Sequence, residues 1–481
     1  MSKEIGLTVR KGENLSEWYT QVIIKAGLAD YSTVKGFMVL MPDGYAIWEK
    51  IRVYLDRRLK ETGHRNAYFP CLIPESLIRR EAEHFAGFNP EVFWVTHAGD
   101  TELGERLAIR PTSETIIYDS YSKWVRSWRD LPLLLNTWNS VLRAEIKGTK
   151  PFMRTSEFLW QEGHTVHATC EEADKEVMSI LSIYKDLIEK ELSIPVLAGV
   201  KSEREKFVGA FYTATLEAMM PDGKALQMGT SHNLGQNFSK AFGIKFVGQD
   251  EQTHFAWNAC WGVSWRLIGA MVMVHGDDRG LVLPPRVAPT QVVIVPIFYS
   301  DEDKNRVEQK AEDIRVALAK KNVSVHVDLR TQYTPGWKFY EWELKGIPLR
   351  IEIGPRDIAA KQVTVVRRDT LERRQILDAQ LLEEIEKLLE EIQNNLYRRA
   401  KESLENSIVV VNDYESFKRR LEDRGGFLKA PWCGAVGCED EIKRETGATI
   451  RLIPFETEQV SGNCIYCGRK AEKIAYFARA Y

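Results

Sequence analysis

The chain has 481 residues, 44% hydrophobic and 28% charged, with a formal net charge of −2. This length can bury a large core in about three domains of ordinary size, and the composition excludes a disordered or fibrous chain. A near-neutral balance excludes a polycation, so contact with a polyanion has to come from a local basic patch.

The first segment, MSKEIGLTVRKGENLSEW, is charged throughout and has no apolar core of a secretory signal. The apolar run LIGAMVMV is too short to span a bilayer. The expectation is a cytoplasmic protein with no membrane partner.

From about Ser16 to Pro289 the chain reads as one α+β unit. AIWEKIRVYLDRRLKETG sets Ile47, Ile51, Val53, Tyr54, Leu55 and Leu59 opposite a charged face, and ends at Gly63, suited to positive φ. HRNAYFPCLI and MVMVHGDD read as strands. The proline-rich LVLPPRVAPTQ reads as a linker. Beyond it VVIVPI, VSVHVD, LRIEIG and QVTVVRRD alternate with helical EDKNRVEQKAEDIRVALAKK and WKFYEWELKG, predicting an α/β domain with a mainly parallel sheet. Leu371 to about Ser407 reads as a charged, solvated connecting helix. The expected domains are 1–285, 286–400 and 401–481.

The span VLRAEIKGTKPFMRTSEFLWQEGHTVH, Val141 to His167, concentrates polar and aromatic groups around a turn. Arginine stays charged, and its planar fork matches phosphate oxygens. A guanidinium face and a phenyl face can sandwich a purine. On two antiparallel strands Arg143, Glu145, Arg154 and Phe158 would share one floor, although a hairpin with cross-strand ion pairs fits the same residues.

Three segments in order break that tie: TGHRNAYFPCL, the Arg143–Phe158 hairpin, and WGVSWRLIGAMVMVHGDDRGL with Arg266. They resemble motifs 1, 2 and 3 of class II aminoacyl-tRNA synthetases. LAIRPTSET, EFLWQEGHTVH, KALQMGTSHNLGQNFSKAF and GIPLRIEIGPRD, with the terminal cysteines, are similar to prolyl-tRNA synthetases of the archaeal/eukaryotic type. The likeness covers essentially the whole chain. Trp265, directly before Arg266, departs from the usual glycine-rich motif 3.

The resemblance implies an α+β catalytic domain on an antiparallel sheet (the class II synthetase fold). An α/β anticodon-binding domain and a small α+β zinc-binding domain follow. It implies ATP-dependent ligation of proline to tRNA(Pro) by a homodimer that pairs through the helix and strand ending at Pro70, with Mg2+ on the ATP. Arg143 and Arg266 carry catalysis. Thr112, Glu114, Arg143, Trp160, Glu162, His164, Phe207 and His232 hold proline. A secondary ammonium offers two N–H donors and a positive charge, which suit one hydroxyl and one carboxylate, although TSE also fits a helix N-cap. Arg143, Glu145, Arg154, Thr155, Phe158, Gln227, Thr230, Ser264 and Arg266 hold ATP.

A small apolar pocket discriminates one methylene by only about 1–3 kcal/mol, so alanine and cysteine are expected to be activated too. The interval from Phe158 to Arg266 reads as catalytic-domain sequence throughout, and no hydrolysis of misacylated tRNA is expected.

Between Leu329 and Arg374 ten basic residues face six acidic ones, a local +4 that suits a phosphate-contacting surface as well as an ordinary solvated face. Glu343, Lys345, Arg350, Arg356 and Arg368 are the implied anticodon contacts, an acid among cations suiting guanine's donors. Cys433, Cys438, Cys464 and Cys467 have the spacing of a closed tetrahedral zinc site, against an unmetallated reduced cluster. Tyr481 is expected to pack back on the catalytic domain. A threonyl-type synthetase relies on an active-site zinc with Cys and His ligands, which these motifs lack. A non-catalytic RNA-binding paralogue would be favoured by lost arginines, yet all three are present.

Overall fold

The computed structural model describes residues 6–84, 91–146, 148–456 and 459–481. The strands that build the site are β1 (Arg65–Asn66), β2 (Leu133–Leu142), β3 (Glu157–His167), β4 (Leu197–Val200), β5 (Tyr212–Met219), β6 (Ala225–Gly235) and β7 (Trp257–Ser264). The α/β region adds β8 (Val292–Pro296), β9 (Val325–Val327), β10 (Leu349–Ile353), β11 (Gln362–Arg367) and β12 (Arg373–Leu377). The C-terminal module adds β13 (Ile408–Val410), β14 (Phe427–Trp432), β15 (Thr449–Pro454) and β16 (Lys473–Ala478). The helices used below are α1 (Pro42–Glu61), α2 (Glu114–Trp124), α3 (Cys170–Asp186), α4 (Arg266–His275), α5 (Asp301–Ala319), α6 (Pro335–Leu344), α7 (Leu381–Ser407) and α8 (Val436–Thr446).

One sheet runs through the catalytic region and the C-terminal module in the order β13-β14-β16-β15-β4-β5-β6-β7-β3-β2-β1. All neighbours are antiparallel except the pairs β13/β14 and β1/β2 at its two ends. The two regions join where Ile453 pairs with Val200 and Pro454 with Gly199. A Cβ on Gly199 would lie 2.3 Å from the Ile453 carbonyl oxygen, so this join requires a glycine. α1, α3 and α4 pack behind the sheet, with Ile51, Tyr184 and Met271 in one buried cluster. α1 stops as its periodicity predicts, and Gly63 takes φ 88°.

The α/β region has a five-stranded sheet in the order β9-β8-β10-β11-β12. Only the β9/β8 and β8/β10 pairs are parallel, so the sheet is mixed rather than mainly parallel. Two further readings change. MVMVHGDD falls largely in α4, not in a strand, because Leu267 to Met273 are all buried and an apolar run without a polar face shows no helical period. The charged helix begins at Leu381, not Leu371: Leu371 takes φ 61° in a turn, and Arg373–Leu377 pairs with β11. Nor is α7 merely a solvated connector. It buries Leu381, Ile385, Leu388, Leu389, Ile392 and Leu396, worth about 1.5–3 kcal/mol each before entropy is counted.

Candidate active site

The face of the large sheet opposite α3 and α4 holds a cavity of about 300 Å3. Alternation along strands puts every second side chain on this floor. β3 supplies Phe158, Trp160 and Glu162, β6 supplies Gln227 and Thr230 with His232, and β7 supplies Ser264. Arg143 enters from the loop after β2, Thr112 and Glu114 from the start of α2, Phe207 from the loop before β5, and Arg266 from the start of α4. Trp261 lies across β3, where a Cβ on Gly163 would meet its ring at 2.1 Å.

Two of the three arginines therefore line one cavity. The third, Arg154, is exposed and lies off the cavity wall, although its charge helps lower the pKa of Arg266. Thr155 and Glu145 also lie off the wall, and Thr155 Oγ1 donates to the Glu157 carbonyl at 2.7 Å. These three belong to the loop joining β2 and β3, in which Lys147 is outside the described residues. His164 lies behind the wall, buried, and positions Glu162. Trp265 points into the core, 5% exposed and edge-on to Phe152 at 5.6 Å. The departure in motif 3 thus places no indole in the cavity.

Arg143 Nε donates to the Pro111 carbonyl at 3.3 Å, and its guanidinium lies 5.2 Å from the Phe158 ring centre. Burial, then Glu145, Glu114 and Glu162 acting oppositely, leave the Arg143 pKa below its ordinary value. Burial and the charge of Arg143 lower Arg266 to about 10. Among the described residues no carboxylate lies within ion-pair distance of either guanidinium. Two poorly neutralised cations on one cavity make an anion site.

The acidic end is held differently. Thr112 Oγ1 donates to Glu114, and burial raises the Glu114 pKa. Ser113 stands at the N-cap of α2, as TSE suggests, but its hydroxyl donates to Glu162 instead of capping the helix. Burial disfavours the Glu162 carboxylate, but His164 at 3.1 Å, Asn139 at 2.9 Å and Ser113 hold its pKa below the usual value. Burial opposes charge on His164 as well, yet the hydrogen bond and charge of Glu162 raise its pKa. Its other ring nitrogen is 3.2 Å from the Tyr118 hydroxyl. His232 is the opposite case: burial, His164 and Lys201 lower it to about 3, and the neutral ring bonds Thr213 Oγ1 at 2.8 Å.

Glu205, Thr213, Cys260 and Trp261 also line the cavity and were not singled out from sequence. Cys260 and Trp261 stand a few residues before Arg266 in WNACWGVSWR, a signal that was available; Glu205 sits in KSEREKF, which reads as any solvated loop. Cys260 joins Glu114 and His164 in a buried trio with ligand atoms within 4.8 Å. That is a Cys/His/carboxylate grouping the motifs alone do not display.

Four of the five implied anticodon residues, Glu343, Lys345, Arg350 and Arg368, are already in ion pairs. Glu343 lies between Arg350 at 3.0 Å and Arg279 at 2.8 Å. Lys345 bonds Asp43 at 3.0 Å, and Arg368 bonds Asp277 at 2.6 Å. Arg356 is exposed. Cys433, Cys438, Cys464 and Cys467 converge with their sulfurs within 4.8 Å of one another. Arg469 lowers Cys467 to about 6, and burial raises Cys438 to about 12. The Tyr481 hydroxyl donates to Asp222 at 2.7 Å, and Lys150 and Lys224 lie 5.0 and 5.2 Å from its ring centre. It packs against the catalytic region as expected.

An antiparallel sheet presents two arginines, a flat ring and a carboxylate to one pocket, the arrangement that the resemblance to class II aminoacyl-tRNA synthetases implies. Residues 93–275 match the family model described as tRNA synthetase class II core domain (G, H, P, S and T), and residues 291–388 match that of an anticodon binding domain. Residues 414–481 match the model described as Prolyl-tRNA synthetase, C-terminal. The proline–tRNA ligase of Cenarchaeum symbiosum is 55% identical over 479 residues, 99% of this chain and all of that one. That of Alkaliphilus oremlandii is 55% identical over 97% of this chain and 96% of its own length. Proline–tRNA ligase 2 of Clostridioides difficile is 53% identical over 98% and 97%. The chain belongs to the proline–tRNA ligase family.

Proposed function

We propose that the cavity binds ATP and L-proline side by side, forms prolyl-adenylate, and passes proline to the 3′ end of tRNA(Pro). The observation that carries this reading is the meeting of Arg143, Arg266 and Glu114 on one cavity wall. The proline carboxylate attacks the α-phosphorus and pyrophosphate leaves. Catalysis then consists of positioning and cationic stabilisation, with no side-chain nucleophile required. Arg143 suits the α-phosphate and the attacking carboxylate, Arg266 the nucleotide, and Phe158 the adenine face. Arg154, exposed and acting electrostatically on Arg266, suits the outer phosphates. Gln227, Thr230 and Ser264 add polar contacts along the nucleotide.

Thr112 and Glu114 receive the ring ammonium, while Trp160, Phe207 and His232 enclose the ring. Glu162 and His164 form the paired layer behind it. The cavity's carboxylates are Glu114, Glu162 and Glu205, and all three have local partners. Mg2+ is therefore read as arriving with the phosphates of the nucleotide.

The four cysteines fit zinc: a soft, all-thiolate donor set at tetrahedral spacing, closed to substrate. The division into 1–285, 286–400 and 401–481 is supported by the separate buried clusters of the α/β region and the C-terminal module. Glu343, Lys345, Arg350, Arg356 and Arg368 are proposed to read the anticodon, with tRNA exchanging for the existing ion pairs.

A homodimer is supported by exposed Tyr68 at 71%, Trp124 at 52% and Val247 at 46%. Phe69 meets the Trp124 ring at 5.9 Å, and the Val247 N–H bonds the Arg126 carbonyl, so these residues share one edge beside the segment leading to Pro70, in which the expected strand stops at Asn66. No helix among the described residues is long and apolar enough to cross a membrane, and the proposed location is the cytoplasm. Alanine and cysteine are expected to be activated, and the interval from Phe158 to Arg266 is occupied by β3, α3 and β4–β7 of the catalytic sheet.

Proline-dependent ATP–pyrophosphate exchange tests the reading. Exchange that needs proline supports it; exchange that follows threonine, or no exchange, overturns it.

A further inference from the structure

The segment between β4 and β5 brings Glu205 and Phe207 to the cavity wall. Its first residue is held from within the catalytic sheet, Lys201 Nζ lying 2.6 Å from Glu217. The following residues meet the C-terminal module. Ser202 Oγ donates to Glu439 at 2.6 Å, and both residues are buried. Arg204 lies 2.9 Å from Asp440, and Glu205 lies 3.2 Å from Lys443. Arg451, bound to Glu217 at 3.0 Å, also reaches Glu205 at 4.0 Å. Glu439, Asp440 and Lys443 fall within about one turn of α8, so one helix face meets one short loop.

The loop transmits that contact inward. The Phe207 N–H bonds Thr213 Oγ1 at 3.0 Å; the same hydroxyl bonds His232, whose ring lies 4.8 Å from Phe207. A shift of Arg204 and Glu205 would therefore move the aromatic wall of the amino-acid end, while Arg266 and Phe158 are carried by other elements.

We infer that Asp440 and Lys443 of the C-terminal module are positioning residues for the amino-acid pocket, acting through Arg204 and Glu205 on the loop that carries Phe207. The inference rests on the proposed reading of the cavity. Isolated exposed ion pairs contribute little, but these two flank the buried Ser202–Glu439 bond and share its loop. The module thus tunes proline binding and not nucleotide binding, although it contributes no residue to the cavity wall among the described residues.

Charge reversal across the pair tests this on the full-length chain. D440R is expected to raise the KM for proline about 5- to 10-fold in ATP–pyrophosphate exchange, with kcat and the KM for ATP within about twofold. It is also expected to speed tryptic cleavage after Lys206. R204D/D440R restores the pair with reversed sign and is expected to return both readouts close to the parent. K443E is expected to move them in the direction of D440R. The inference is overturned if the KM values for proline and ATP rise together, if neither single variant changes the KM for proline, or if the double variant gives no rescue. A parent enzyme without proline-dependent exchange would instead overturn the functional reading. The cleavage rates would then still decide whether α8 holds the loop: no acceleration in either single variant overturns that contact.

Discussion

The cavity on the large sheet and the basic face of the α/β region both gather charge, but they hold it in opposite states. Arg143 and Arg266 face a cavity with no carboxylate at ion-pair distance among the described residues, and burial depresses the pKa of each. Glu343, Lys345, Arg350 and Arg368 are all in ion pairs, several with Asp43, Asp277 and Arg279 of the catalytic region. The first arrangement stores unfavourable charge that a polyphosphate, bound as proposed, would relieve. The second has to exchange one set of partners for another, so its net gain per contact is smaller.

Removing a cation from the cavity is therefore expected to have the largest effect. Arg143→Ala or Arg266→Ala should lower kcat for exchange by about 100- to 1,000-fold, as for loss of a preorganised transition-state donor. A pure KM effect would place these arginines in ground-state binding instead. Next comes the charge cluster that joins the catalytic sheet to the C-terminal module. Glu217→Ala leaves Lys201 and Arg451 buried without their acid, and is expected to destabilise the fold by about 3–5 kcal/mol in denaturant titrations. A loss under 1 kcal/mol would mean that water or another acid replaces it.

On the paired face, Glu343→Ala is expected to raise the KM for tRNA about 5- to 30-fold, equivalent to about 1–2 kcal/mol, with exchange nearly unchanged. Equal losses in both assays would assign Glu343 to the join between regions rather than to the anticodon. The smallest effect is on pH. Glu114 is raised by burial, so below its folded-site pKa it is neutral and cannot pair with an ammonium. The KM for proline should fall as pH rises through that pKa, and Glu114→Gln should abolish the dependence. A parent profile that is flat from the usual carboxylate range upward would show that Glu114 is ionised before proline arrives.

Much of the site was legible because it is written in short, local strings. TSE, R-x-E and R-x-x-x-F each put polar or aromatic groups close together, and Thr112, Glu114, Arg143 and Phe158 of these strings reach the cavity, whereas Glu145 and Arg154 stay off its wall. Glu205 and Thr213 were not legible, since a charged loop and an alternating strand look alike whether they face water or a ligand. The ion-paired state of Glu343 and Arg368 was also hidden, because their partners Arg279 and Asp277 belong to another region of the chain.

Sequence alone determined the family, the order of the three regions, the cysteine quartet and most of the cavity's chemistry, because periodicity and motif spacing are local properties. Tertiary structure decided that Arg154 stays exposed off the cavity wall while Arg266 opens a helix. It also decided that the C-terminal strands extend the catalytic sheet and that α8 grips a pocket loop. The last two depend on residues more than 100 apart in the chain meeting at a distance set by packing, and no local pattern encodes that distance.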